Sequence, residues 1–157
     1  VGQGYILFKT GYYYNVYQVA RIGGQVQPLG HEGRTLMALS PDGAWSAWLE
    51  YGTTNNLILK NLQNNTEKKF ALPNGYHQFG TMYFSPDSTK LAYAAAYGFP
   101  GRELGAVFVI TMDKDSDIFI DKTGSSGTKY MVVTGWKNND APEYKVVDAG
   151  NGDASAK

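Results

Sequence analysis

Cysteine is absent from the 157 residues, which excludes disulfides and thiolate metal sites and leaves every compartment open. Net charge is absent too: 14 Lys and Arg balance 14 Asp and Glu, so no basic field invites nucleic acid or an anionic membrane surface. No apolar run approaches the roughly 18 residues that a membrane-spanning helix needs. No signal-peptide pattern opens the chain, and its start at Val1 rather than Met leads us to expect a processed or trimmed piece. Sustained helical periodicity is missing as well. What stands in its place is 12 Tyr, 7 Phe, 3 Trp and 19 Gly, a composition that suits a turn-rich β protein.

The chain is organised around Ser40-Pro41-Asp42-Gly43, which returns as Ser85-Pro86-Asp87-Ser88, a period of 45 residues. Proline presets φ at the first corner, Asp bonds back to the backbone, and Gly43 or Ser88 accepts the exit geometry. Each copy follows a short apolar run and precedes an aromatic-rich one. Self-similarity at this period, with such a turn inside each unit, is the mark of repeated β-sheet blades.

Strand and turn signals divide the chain accordingly. Residues 1–33 read as the back of a repeat: Tyr5 to Phe8, a loosely alternating run from Tyr13 to Ile22, and Gln25 to Leu29 beyond the Gly23-Gly24 turn. Pro28 suits a sheet edge, since it cannot donate to a ladder. Residues 34–73 form a whole repeat with strands at 35–39, 45–51, 57–62 and 68–72. Residues 74–124 form a second, with strands at 81–84, 90–97, 106–112 and 117–121. A Gly/Ser linker precedes two further strands, 130–136 and 143–147, which make 125–150 a partial blade, and 151–157 is a small, polar tail. The expected fold is all-β, a β-propeller segment of about three four-stranded antiparallel blades, part of a larger propeller or an assembly. Leu39, Trp48, Leu59, Phe84, Tyr93 and Phe108 fall in the central strands and are expected in the core.

Leu29-Gly30-His31-Glu32-Gly33 followed by Leu36 to Gly43 looks like the opening of a WD-type blade, and Asn74 to His77 before Met82 to Ser88 repeats it loosely. The chain resembles the WD-like repeats of bacterial periplasmic propellers, such as that of the Tol-Pal system, and of the propeller domains of prolyl-oligopeptidase-type peptidases. The third strands, 57–62 and 107–112, lack the Trp-Asp pair, so the histidine-centred relay of the eukaryotic scaffold group is not carried over. The resemblance implies a periplasmic or extracellular setting.

Four patterns bear on chemistry. Asp113, Asp115, Asp117 and Asp121 stand at relative positions 1, 3, 5 and 9, as in calcium loops, where several oxygens converge on a hard cation. Ile118 occupies the position where such a loop wants glycine, which favours a plain acidic turn about three to one over Ca²⁺. His31 and His77 recur at like places before the first strand of each repeat, which suits a shared structural hydrogen bond better than catalysis. Gly124-Ser125-Ser126-Gly127 is not a nucleophile elbow. Tyr12, Tyr13 and Tyr14 suit packing between blades by about two to one, yet they cannot all face inward from one strand, and exposed tyrosines favour protein or sugar contacts.

The sequence therefore reads as a non-catalytic binding or scaffolding module that meets a protein partner or other copies of itself, with no nucleic acid and no membrane span. Its rival is the propeller portion of a secreted prolyl-oligopeptidase-type serine peptidase, with the catalytic domain outside these residues. Open blade edges make self-assembly a third reading.

Overall fold

The computed structural model describes residues 5–10, 15–20, 26–28, 35–50, 53–72, 76, 78–97, 104–122 and 129–148. These residues are in strands or the turns between them, and none is helical. The chain divides into two compact units, Val1–Ala71 and Leu72–Lys157.

In the first unit, β1 (Tyr5–Thr10), β2 (Asn15–Ala20) and β3 (Val26–Pro28) form a three-stranded antiparallel sheet in that order. Pro28 sits on its edge strand, the part of a sheet where proline is tolerated. A four-stranded antiparallel meander follows: β4 (Thr35–Leu39), β5 (Trp45–Glu50), β6 (Asn56–Asn61) and β7 (Glu67–Ala71). Its two central strands are buried on both faces. Ala47, Leu49, Leu57 and Leu59 lie on one, Trp48 and Ile58 on the other, as the pairings Ala47–Leu59, Leu49–Leu57 and Trp48–Ile58 require. Ser46 is fully buried beside them, and its hydroxyl has no hydrogen-bond partner among the described residues.

The second unit repeats the meander with β8 (Gln78–Phe84), β9 (Lys90–Tyr97), β10 (Leu104–Thr111) and β11 (Asp117–Lys122). It adds a hairpin, β12 (Lys129–Asn138) with β13 (Ala141–Asp148). Strand parity gives the four-stranded sheet two unlike faces. One carries Tyr93 and Phe108, stacked 5.4 Å apart, with Phe119 edge-on to Phe108 at 5.8 Å. The other carries Ala92, Ala94, Val107 and Val109, and against it pack Met131 and Val133 of β12, flanked by Trp136 and Tyr144. Small side chains on β9 let the hairpin come close. At Gly105 it comes closest, because an added Cβ would lie 2.3 Å from Met131 N and 2.9 Å from Tyr130 C. Polar ties hold the same seam: Thr81 Oγ1 donates to Val133 O and Trp136 Nε1 to Tyr83 O, both at 2.8 Å.

The two Ser-Pro-Asp turns share one hydrogen-bond design. In each, the serine hydroxyl donates to the Asp carboxylate at 2.6 Å and accepts the N–H of the first residue of the next strand, from Trp45 at 2.8 Å and from Lys90 at 2.9 Å. The same carboxylates accept the N–H of Ala44 at 2.9 Å and of Thr89 at 3.1 Å. Backbone bonds Gly43 N to Ser40 O and Ser88 N to Ser85 O, each 2.9 Å, close both corners. The corners exit through left-handed residues, Gly43 at φ 71 and Ser88 at φ 63, the geometry of a type I turn that leads into an antiparallel strand. The second turn also engages the hairpin tip: Asp87 N–H donates to Asn139 Oδ1 at 3.2 Å, and the Lys90 ammonium reaches Asn139 O and the Asp140 carboxylate.

Of the six residues expected in the core, Trp48, Leu59, Phe84, Tyr93 and Phe108 are buried. Leu39 is only half-buried. It is the last residue of edge strand β4, immediately before the turn, where only one strand of the sheet flanks it.

Candidate interaction surface

The outer strands of the two meanders occupy the same place and differ sharply in chemistry. In the first unit the ladder runs Trp48–Ile58–Lys69 across the sheet. In the second it runs Tyr93–Phe108–Phe119. Trp48 and Tyr93 each stand eight residues after the Ser of their turn, so Lys69 and Phe119 are equivalent positions. By the same alignment Lys68 matches Ile118 and Glu67 matches Asp117. Strand β7 thus presents Glu67, Lys68 and Lys69, with ion pairs from Lys60 to Glu67 and from Lys69 to Glu50 along its face. Charges of this kind keep a bare sheet edge from pairing with another chain. Strand β11 has no such protection across its middle. Ile118, Phe119 and Ile120 are 50%, 51% and 38% exposed in sequence, and the outer edge of β11 is unpaired among the described residues.

Three consecutive exposed apolar residues defy the alternation of a regular strand. Ile118 and Phe119 face opposite sides of this outer strand, and a bulge adds the third: Phe119 faces Phe108 and Asp121 faces Val107, which leaves Ile120 as the extra residue. The bulge also reverses parity. Asp117 shares the face of Phe119, where its carboxylate accepts a hydrogen bond from the Tyr93 hydroxyl. Asp121 shares the opposite face, where it accepts one from Tyr144 at 3.0 Å. Burial first, and then the bond to Asp117, push the Tyr93 hydroxyl far above the ordinary tyrosine range. Tyr144 is raised in the same sense, by desolvation and by Asp121.

This parity decides the fate of the four carboxylates that the sequence spaces like a calcium loop. Asp113 and Asp115 lie exposed in the turn before β11, Asp117 points to one face and Asp121 to the other. The four do not surround one point, and no group of three or more metal-ligating side chains that could hold an ion occurs among the described residues. Tyr12, Tyr13 and Tyr14, like His31 and His77, lie outside the described residues. What the sequence reading passed over is Ile118-Phe119-Ile120. Its signal was there, an apolar triplet where the preceding repeat has Lys68-Lys69.

No known protein family and no curated protein sequence matches the chain. Among solved structures, it is similar to TolB from Acinetobacter baumannii, with a TM-score of 0.54 at 15% identity, over 88% of this chain and 36% of TolB. It is similar also to the tricorn protease, with a TM-score of 0.57 at 10% identity, over 87% of this chain and 13% of the protease. The chain thus spans well under half of either. Both neighbours are β-propeller proteins, and likeness at these identities speaks to fold alone. Together with the antiparallel four-stranded sheets, it makes this chain a β-propeller segment.

Proposed function

We propose that this propeller segment is a non-catalytic module that binds another protein. The observation that carries the reading is the outer strand β11, apolar and exposed at positions where the equivalent strand β7 is charged. A contiguous apolar strip on a strand with an open edge is costly to leave in water and useful only when something covers it. Folds of this kind host many functions, so the surface rather than the architecture supports the reading. The resemblance of the repeats to periplasmic propellers supports a periplasmic or extracellular setting. Assembly of copies through open edges is the second reading, favoured by the same bare edge on β11.

A photo-reactive residue placed at position 118 in the cell tests the proposal, with the equivalent position 68 as the matched control. The expected outcome is a discrete protein crosslink from 118 and none from 68. Equal crosslinking from both positions, or none from either, would overturn it, as would turnover of a peptide substrate by the purified chain.

A further inference from the structure

We infer that the outer edge of β11 receives an extended peptide strand from its partner, one with aliphatic or aromatic residues at its centre and Lys or Arg at its flanks. The inference rests on the binding reading above and adds the chemistry of the occupant. Three observations converge on it. The edge is unpaired among the described residues, so its backbone N–H and C=O groups offer a template for one more antiparallel strand. Ile118 and Phe119 lie on opposite faces of the sheet, as their partners Val109 and Phe108 require, so an added strand meets apolar side chains on both sides. Phe119 is held in place by its edge-on contact with Phe108, which presents a rigid anchor of the kind that dominates interface energetics.

Charge then selects the occupant. From 113 to 122 the chain carries four carboxylates, Asp113, Asp115, Asp117 and Asp121, against Lys114 and Lys122. The apolar triplet is therefore framed by acid at both ends. A second copy of β11 fits this frame badly, because it brings the same excess of carboxylates, four against two lysines over 113–122, up to an edge that already carries it. A basic-flanked strand puts its ammonium or guanidinium groups where those carboxylates are, and it gains orientation and association rate from them.

The test uses the full chain and synthetic peptides with a Val-Phe-Val-Ile core, apolar on both faces of the strand. One peptide has two Lys at each end, a second has two Glu, and a third is the Lys peptide N-methylated at alternate residues on the edge that would face β11. Binding is read by fluorescence anisotropy, and its place by hydrogen exchange over residues 117–121. The Lys peptide is expected to bind at least tenfold more tightly than either other peptide and to protect 117–121. Ile118→Lys, which installs the lysine of the equivalent β7 position, is expected to weaken binding at least tenfold. Ile118→Thr, which keeps the β-branched shape, is expected to weaken it less while circular dichroism stays unchanged. Equal binding of Lys and Glu peptides, undiminished binding of the N-methylated peptide, or no binding at millimolar peptide would each overturn the inference. Dimers of the unliganded chain that Ile118→Lys dissolves would overturn it in favour of a second copy, and the binding-module reading would survive. Failure of both peptide binding and crosslinking at position 118 would remove the module reading as well.

Discussion

Gly105→Ala adds one methyl group where β12 crosses β10, and its effect can be worked out from the seam. The new Cβ would lie 2.3 Å from Met131 N and 2.9 Å from Tyr130 C, both backbone atoms that cannot swing aside. Restoring van der Waals separation requires the hairpin to retreat by roughly 1 Å, and a gap of that size forfeits about a quarter to a half of each dispersion contact it opens. If the seam adapts, the cost is that of overpacking, about 1 to 3 kcal/mol. If the hairpin undocks instead, buried Met131 and Val133 return to water, at about 1.5 to 3 kcal/mol each. Adaptation is the cheaper route, so a loss of about 2 to 3 kcal/mol is expected, with the hairpin displaced but attached. Urea denaturation followed by tryptophan fluorescence measures the loss, and hydrogen exchange over 129–148 locates it. Gly80→Ala is the matched control. Its Cβ would lie 3.1 Å from the Ala94 methyl and at ordinary contact distance, 3.6 Å, from the Ala94 carbonyl oxygen, and a change under about 1 kcal/mol is expected from so mild a crowding. An unchanged denaturation midpoint for Gly105→Ala, with unchanged protection of 129–148, would show that the hairpin does not dock as described.

Four further outcomes are expected. Gly43→Ala, which forces a Cβ into φ 71, should cost about 1 to 2 kcal/mol in thermal unfolding, and a neutral result would mean the turn relaxes. Tyr93→Phe deletes a hydrogen bond to the Asp117 carboxylate and should cost about 1.5 to 3 kcal/mol. Because the Tyr93 pKa is raised on folding, its contribution is complete below the unfolded value near pH 10 and lost as pH climbs above it, so alkaline denaturation should be less steep in the Phe variant. Asp87 is depressed, chiefly by the hydrogen bond from Ser85 and then by those from Thr89. Its contribution is complete above its unfolded value of 3.8 and lost as pH falls below that, and the stability gap between the native chain and Asp87→Asn should close over that range. Millimolar calcium should leave the melting temperature unchanged, since Asp117 and Asp121 point to opposite faces; a rise reversed by chelator would refute that geometry.

The Ser-Pro-Asp repeat determined a great deal by itself. Local chemistry suffices for such a turn, since the serine, the carboxylate and the left-handed exit residue bond within a few residues of one another, and the strands on either side follow from apolar runs that the turns bound. The exposure of Leu39 was not local in this sense, because edge position depends on which strand comes next in the sheet. Gly105 reads in the sequence as a weak point in a strand, and only the approach of Met131 gives it a purpose. The acidic run from Asp113 to Asp121 shows the division most plainly. Its one-dimensional spacing resembles a calcium loop, yet the face on which each carboxylate emerges depends on parity, and parity depends on the bulge at Ile120. That bulge is a property of the pairing between β10 and β11, two strands that a sequence presents one after the other and only the folded sheet sets side by side.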